Sequence, residues 1–121
     1  VIVLGLDFQI STFNLLMKTF ILGQSKEQVL HMIPEKGIKL VQLGGEKICV
    51  SRNGDTFFAF EPFCPHRMAS LLQGTIVRNE IVCPLHQYRF DLQTGTVVSG
   101  QCPDLKVYKV EFSDRGLEIW I

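Results

Sequence analysis

The chain has 121 residues, 46% of them hydrophobic and 20% charged, which places it among single globular domains and excludes a disordered chain. Twelve basic residues balance twelve acidic ones, so there is no basic excess for nucleic acid and no polybasic patch for a membrane surface. The four cysteines, Cys49, Cys64, Cys83 and Cys102, could form two disulfides only in a secretory context. Val1 to Gly5 carry no positive charge, no apolar stretch is long enough to span a bilayer, and a reducing cytoplasm is the expectation.

Residues 1–17 are apolar apart from Asp7 and carry no turn signal. They are either an upstream addition to a domain that begins near Met17, or an extra strand or helix packed on the core. From Lys18 to Ile121 the pattern is mostly β. Thr19–Leu22 reads as a short strand. Ser25 is placed to cap a short helix, with Gln28 three residues later and Pro34 ending it. Residues 37–43, 46–52 and 56–61 read as three strands joined by tight turns at Gly44-Gly45 and Asn53-Gly54-Asp55. Ile38, Leu40, Ile48, Val50, Phe57 and Phe58 are candidate core side chains. Thr75–Arg78 and Glu80–Cys83 can pair around Asn79. Arg89–Leu92 and Gly95–Val98 flank a turn at Gln93-Thr94, and Lys106–Phe112 and Leu117–Ile121 form a last hairpin. Short strands at close spacing predict an all-β fold, an antiparallel sandwich or barrel.

Two segments carry chemistry: Cys64-Pro65-His66 and Cys83-Pro84-Leu85-His86, separated by sixteen residues. Thiolate and imidazole suit iron–sulfur, zinc or copper. The hairpin around Asn79 would set the two segments side by side. Pro65 and Pro84 each follow a cysteine; proline fixes φ and removes an N–H, which stiffens both loops. Ligand type alone leaves a Cys₂His₂ zinc site open, although C-x-H is tight for the usual zinc spacing.

Phe63-Cys-Pro-His-Arg67, Gly74, Ile81-Val-Cys-Pro-Leu-His86, Arg89-Phe-Asp-Leu and Thr94-Gly95 together resemble the Rieske ferredoxins, in particular those that serve dioxygenases. The resemblance covers about 18–121 and is densest over 56–98. It implies a Rieske-like antiparallel β-sandwich or barrel with a small cluster-binding part at about 62–90. It also implies a [2Fe–2S] cluster, with Cys64 and Cys83 on the inner iron and His66 and His86 on the outer one. Histidine in place of thiolate makes such a cluster less negative and raises its potential over all-cysteine clusters.

High-potential members of that family carry an additional cysteine in each loop; the corresponding positions here hold Met68 or its neighbours and Leu85. Those members also place a serine and a tyrosine two and four residues after the second histidine, where this chain has Tyr88 and Phe90. A low-potential centre is therefore expected. The function implied is a soluble one-electron carrier from a flavin reductase to a terminal oxygenase, with an accessory subunit of a larger redox complex, nitrite-reductase-like, as the alternative. His31 is the only histidine left over, so the chain cannot supply the two histidines and a carboxylate of a mononuclear oxygenase iron; a carrier, not an enzyme, is expected. His31 reads as a surface or capping residue, Cys49 as a small buried side chain, Cys102 as loop filler or a thiol near the centre, and Trp120 as core. Met68, Leu85, Gln87 and Pro103 are expected around the two histidines.

Overall fold

The computed structural model describes residues 2–3, 10–14 and 17–121, with side chains from Thr19 onward. Among the described residues twelve strands form two sheets, joined by one short α-helix and a 3₁₀ turn at Leu71–Gln73. The strands are β1 (Ile2–Val3), β2 (Ile10–Asn14), β3 (Met17–Leu22), β4 (Ile38–Leu43), β5 (Glu46–Asn53), β6 (Thr56–Phe60), β7 (Thr75–Val77), β8 (Glu80–Val82), β9 (Arg89–Asp91), β10 (Val97–Ser99), β11 (Val107–Ser113) and β12 (Gly116–Trp120). The large sheet runs β1-β4-β5-β6-β11-β12-β3-β2 and the small one β10-β9-β8-β7. All pairings are antiparallel except β1 with β4, which is parallel and which the antiparallel expectation did not include. Backbone of Ile10–Asn14 adds a strand beside Met17–Leu22.

Strands β5 and β6 explain how the sheets share the molecule. Side chains alternate across a strand, so a run buried at every position serves two cores. Ile48, Val50, Phe57 and Ala59 face one core, with Phe20, Leu22, Leu117 and Ile119. Cys49, Phe58 and Phe60 face the other, with Leu71, Ile76, Ile81, Phe90 and Leu105. Phe57 and Phe58 are thus both core residues, on opposite faces of one strand. The second core is the one that carries the metal-ligand candidates, because Cys64 and Cys83 are buried in it.

The helix α1 (Lys26–Met32) plugs the first core through Val29. The Ser25 hydroxyl accepts a hydrogen bond from the Gln28 N–H at 3.2 Å, as its capping position predicts. His31 sits in the last turn, exposed. The hairpins turn at Gly44 (φ +61) and Gly54 (φ +64), both in the left-handed region that glycine occupies most easily. Arg52 ties the helix exit to the second hairpin: it donates to the Ile33 carbonyl and pairs with Glu35 at 3.1 Å, and Glu35 accepts from the Gly54 N–H.

Two sequence expectations need correction. The segment expected as a strand from Gly95 begins only at Val97. The Asp91 carboxylate accepts from the Gln93 and Thr94 N–H groups, so residues 92–96 form a wider turn. Trp120 is half-buried rather than core, and the Lys109 ammonium lies 4.9 Å over its ring. An indole at the end of the last strand can be covered by a lysine from the neighbouring strand and keep one edge in water.

Cys49 meets its expectation: it is fully buried, and burial pushes its thiol up to about 12 from 9.0. Below about pH 9 an exposed thiol gains thiolate tenfold per pH unit and then saturates; Cys49 goes on gaining up to about 12. Its thiolate fraction at pH 8 is on the order of a thousandth of an exposed thiol's. Iodoacetamide at pH 8 is therefore expected to leave Cys49 unmodified in the native protein and to label it in urea, read by peptide mass spectrometry. Labelling at equal rates in both conditions would contradict its burial.

Candidate metal centre

The two Cys-Pro segments form matched loops. In the first, the Cys64 N–H donates to the Ala69 carbonyl at 2.8 Å and the Met68 N–H to the Cys64 carbonyl at 2.7 Å. In the second, the Cys83 N–H donates to the Tyr88 carbonyl at 2.7 Å. Each cysteine thus stands at the mouth of a loop whose far side returns to its backbone. The loops carry three of the five non-glycine residues with positive φ among the described residues, namely Met68 (φ +58), His86 (φ +64) and Gln87 (φ +58). Such backbone costs on the order of 1 kcal/mol or more per residue and concentrates where a site fixes its side chains. The hairpin β7–β8, paired Thr75↔Val82 to Val77↔Glu80, joins the loops as the spacing predicts. An Arg89–Glu80 ion pair at 3.5 Å braces its far strand.

These loops bring the four predicted residues together as two pairs. Cys64 and Cys83 are fully buried and close enough for their thiols to hydrogen-bond. Burial raises the Cys64 thiol above its ordinary value, and the His66 and Arg67 N–H groups, aimed at the sulfur, pull the other way. His66 and His86 lie nearer the surface with ring centroids 5.2 Å apart. Desolvation, followed by the proximity of His86 and Arg67, lowers the His66 pKa, so its imidazole is neutral at pH 7 and keeps a lone pair for a metal. Its Nδ1 is buried without a hydrogen-bond partner; only the Ser51 hydroxyl shares that condition among the described residues. A buried acceptor left without a donor costs about 1–3 kcal/mol unless something else occupies it. Among the described residues no three such side chains gather at one metal-ion site; a buried thiol pair, an imidazole pair nearer the surface and an orphaned ring nitrogen are the donor set of a two-iron group held by two sulfurs and two nitrogens.

The sequence model of the Rieske [2Fe–2S] domain matches residues 25–109. The chain belongs to this family. Its cofactor is accordingly a [2Fe–2S] cluster, and the zinc alternative that ligand type left open falls away. The chain is similar to the ferredoxin CarAc of Metapseudomonas resinovorans, 38% identical over 74 residues that cover 60% of this chain and 69% of that one. It is also similar to the ferredoxin component of the naphthalene 1,2-dioxygenase/salicylate 5-hydroxylase systems of a Ralstonia species, at 32% over 83 residues, 68% of this chain and 80% of the relative. Among solved structures it resembles the ferredoxin-sized chain in a complex of reduced oxygenase and oxidized ferredoxin of carbazole 1,9a-dioxygenase. There the TM-score is 0.68 at 30% identity, over 88% of this chain and 94% of that chain.

Other residues near this Rieske site divide clearly. Phe90 is fully buried and offers no hydroxyl. Tyr88 lies with its ring parallel to that of His66, centroids 3.8 Å apart and planes 8° from parallel. Met68, 67% exposed, and Leu85, 37% exposed, stand on the same loops as the histidines, beside exposed Phe63. Cys102 is not simple filler: it packs against the second core, and its thiol is raised by burial and by Cys64. No disulfide is formed, all four cysteines being free. Sequence reasoning missed Gly100, whose role becomes visible only once Tyr88 is placed. No helix among the described residues is long and apolar enough to cross a membrane.

Proposed function

We propose that the chain is a one-electron carrier between a reductase and an oxygenase, that Cys64 and Cys83 hold the inner iron of its cluster and His66 and His86 the outer, and that the centre is of the low-potential kind. The observation that carries this is the buried, partnerless Nδ1 of His66, on a ring 5.2 Å from that of His86, in the loop that also carries one of two buried, paired thiols. When bound, a [2Fe–2S] group supplies a site that takes up and releases one electron at a time. The chain's own residues do the rest. Cys64 and Cys83 anchor the inner side in a dry core, where Leu71, Ile81 and Phe90 exclude water. His66 and His86 present the outer side at the tip of the molecule, in loops stiffened by Pro65 and Pro84. Exposed Phe63, Met68 and Leu85 give that tip an apolar surface on which a protein partner can seat.

Relatives that support this reading are named as a ferredoxin or as ferredoxin components of dioxygenase systems, and a structural relative comes from a complex of oxygenase and ferredoxin. A cytoplasmic setting fits four cysteines that stay unpaired. Residues 18–121 constitute the Rieske unit, with about 62–90 as its cluster-binding part.

The low-potential assignment rests on what the loops lack. Met68 or its neighbours and Leu85 stand where high-potential members have the disulfide, buried Phe90 has no hydroxyl to donate to sulfur, and the Tyr88 ring is stacked on His66. Fewer hydrogen bonds to the cluster leave its negative charge less stabilised and its potential lower. A spectroelectrochemical titration is expected to follow a one-electron curve, with its midpoint in the lower part of the roughly −150 to +300 mV range of the class. A midpoint above about +150 mV would overturn the low-potential assignment, and a two-electron curve the carrier assignment.

A further inference from the structure

Behind the two ligand loops runs a third, residues 99–105, that the cluster reading does not use. It is tied down at both ends: the Val97 N–H donates to the Asp104 carboxylate at 3.0 Å, and the Leu105 N–H to the Gly95 carbonyl at 2.8 Å. Within it Gly100 has φ +126, and a Cβ there would lie 2.3 Å from Cδ2 and 2.5 Å from Cε2 of Tyr88. The backbone of the third loop therefore lies directly against the Tyr88 ring. The ring also packs against the second core and lies parallel to His66 at 3.8 Å. Tyr88 is itself fixed at its base, since its carbonyl accepts from the Cys83 N–H at 2.7 Å. Tyr88 is thus held between the third loop and the imidazole, with no room for even one added carbon at Gly100.

Resting on the ligand assignment above, we propose that Tyr88 is a positioning residue that sets the ring plane of His66, and that the third loop sets Tyr88 through Gly100. A flat ring stacked at van der Waals distance allows the imidazole to slide in its own plane but resists tilt. The orphaned Nδ1 of His66 is aimed by that plane. The ring, not the hydroxyl, is what the geometry uses.

The test uses the cluster-loaded protein in its reduced state and reads the two histidine nitrogen hyperfine couplings by pulsed EPR, together with the midpoint potential and iron per chain. Tyr88→Phe is expected to superpose on the wild type in all three. Tyr88→Leu, at full iron content, is expected to displace one of the two nitrogen couplings and to shift the midpoint. Gly100→Ala is expected to displace the same coupling, and the double variant Gly100→Ala/Tyr88→Leu to move it no further than Tyr88→Leu alone. Wild-type couplings and midpoint in iron-replete Tyr88→Leu would overturn the proposal. Should Tyr88→Leu fail to hold iron, Gly100→Ala decides, and an unmoved coupling overturns it. The ligand assignment fails separately: His66→Ala would then retain both couplings.

Discussion

Replacing Cys83 by serine is expected to reduce iron from two per chain to a small residue and to remove the visible colour and the EPR signal of the reduced protein. The side chain is fully buried and within hydrogen-bonding reach of the Cys64 thiol. A serine oxygen is a harder and far more basic donor than a thiolate, and it is shorter, so it neither matches iron–sulfur chemistry nor reaches the same point. Mutating partners that merely orient metal ligands typically costs 10–100-fold in affinity, so losing a ligand is expected to cost more than about 100-fold. Cys64→Ser and His66→Ala should behave alike, because each removes one of four attachments.

The control is internal to the chain. Cys49→Ala removes an equally buried thiol from the same core and should retain full iron, since Cys49 lies on strand β5 and not in either loop. Cys102→Ala should retain it as well. Iron and absorbance measured on all five purified variants separate a ligand set from a general need for buried sulfur. Full iron content in Cys83→Ser would sink the ligand assignment, and loss of iron in Cys49→Ala would mean that core packing alone governs retention.

What could be read from the sequence divides by range. The four candidate ligands stand out in the sequence because their chemistry is local: two cysteines, two histidines and two prolines lie within two segments of three and four residues. The hairpins β4–β5 and β5–β6 were legible because Gly44 and Gly54 mark turns with positive φ between runs of β-forming residues. The shift of β10 to Val97 was not, because a carboxylate from one strand end, Asp91, reshapes the turn through two backbone donors. The half-exposure of Trp120 depends on Lys109 in the paired strand, a register fact. Tyr88 shows the limit most clearly. Its place two residues after His86 was plain, but the neighbours of its ring, Gly100 twelve positions on and His66 twenty-two positions back, are remote in sequence. The position of Cys102 near Cys64 is hidden for the same reason: it follows from how the third loop is tied down.

Gly95→Ala is expected to be the most destabilising of the glycine-to-alanine changes. Gly95 has φ +84, where an L side chain is strained by about 1–2 kcal/mol. That strain alone is shared by Gly54, at φ +64, where an added Cβ meets nothing within 4 Å. Gly95 differs in what lies over it. A Cβ there would stand 2.1 Å from the Leu105 carbonyl oxygen, which is backbone and cannot rotate away. Moving residue 105 would break the hydrogen bond from the Leu105 N–H to the Gly95 carbonyl and draw buried Leu105 out of the second core. A lost buried backbone bond adds about 1–3 kcal/mol. Gly95→Ala should therefore cost about 2–5 kcal/mol and Gly54→Ala only about 1–2 kcal/mol. Urea midpoints of the two variants and the wild type, taken under the same loading with cluster, give the comparison. Equal midpoints for the two variants would show that the crossing of Leu105 over Gly95 is not what requires glycine there. A large gap would locate a main hold on the third loop at Thr94-Gly95, next to the turn that Asp91 organises.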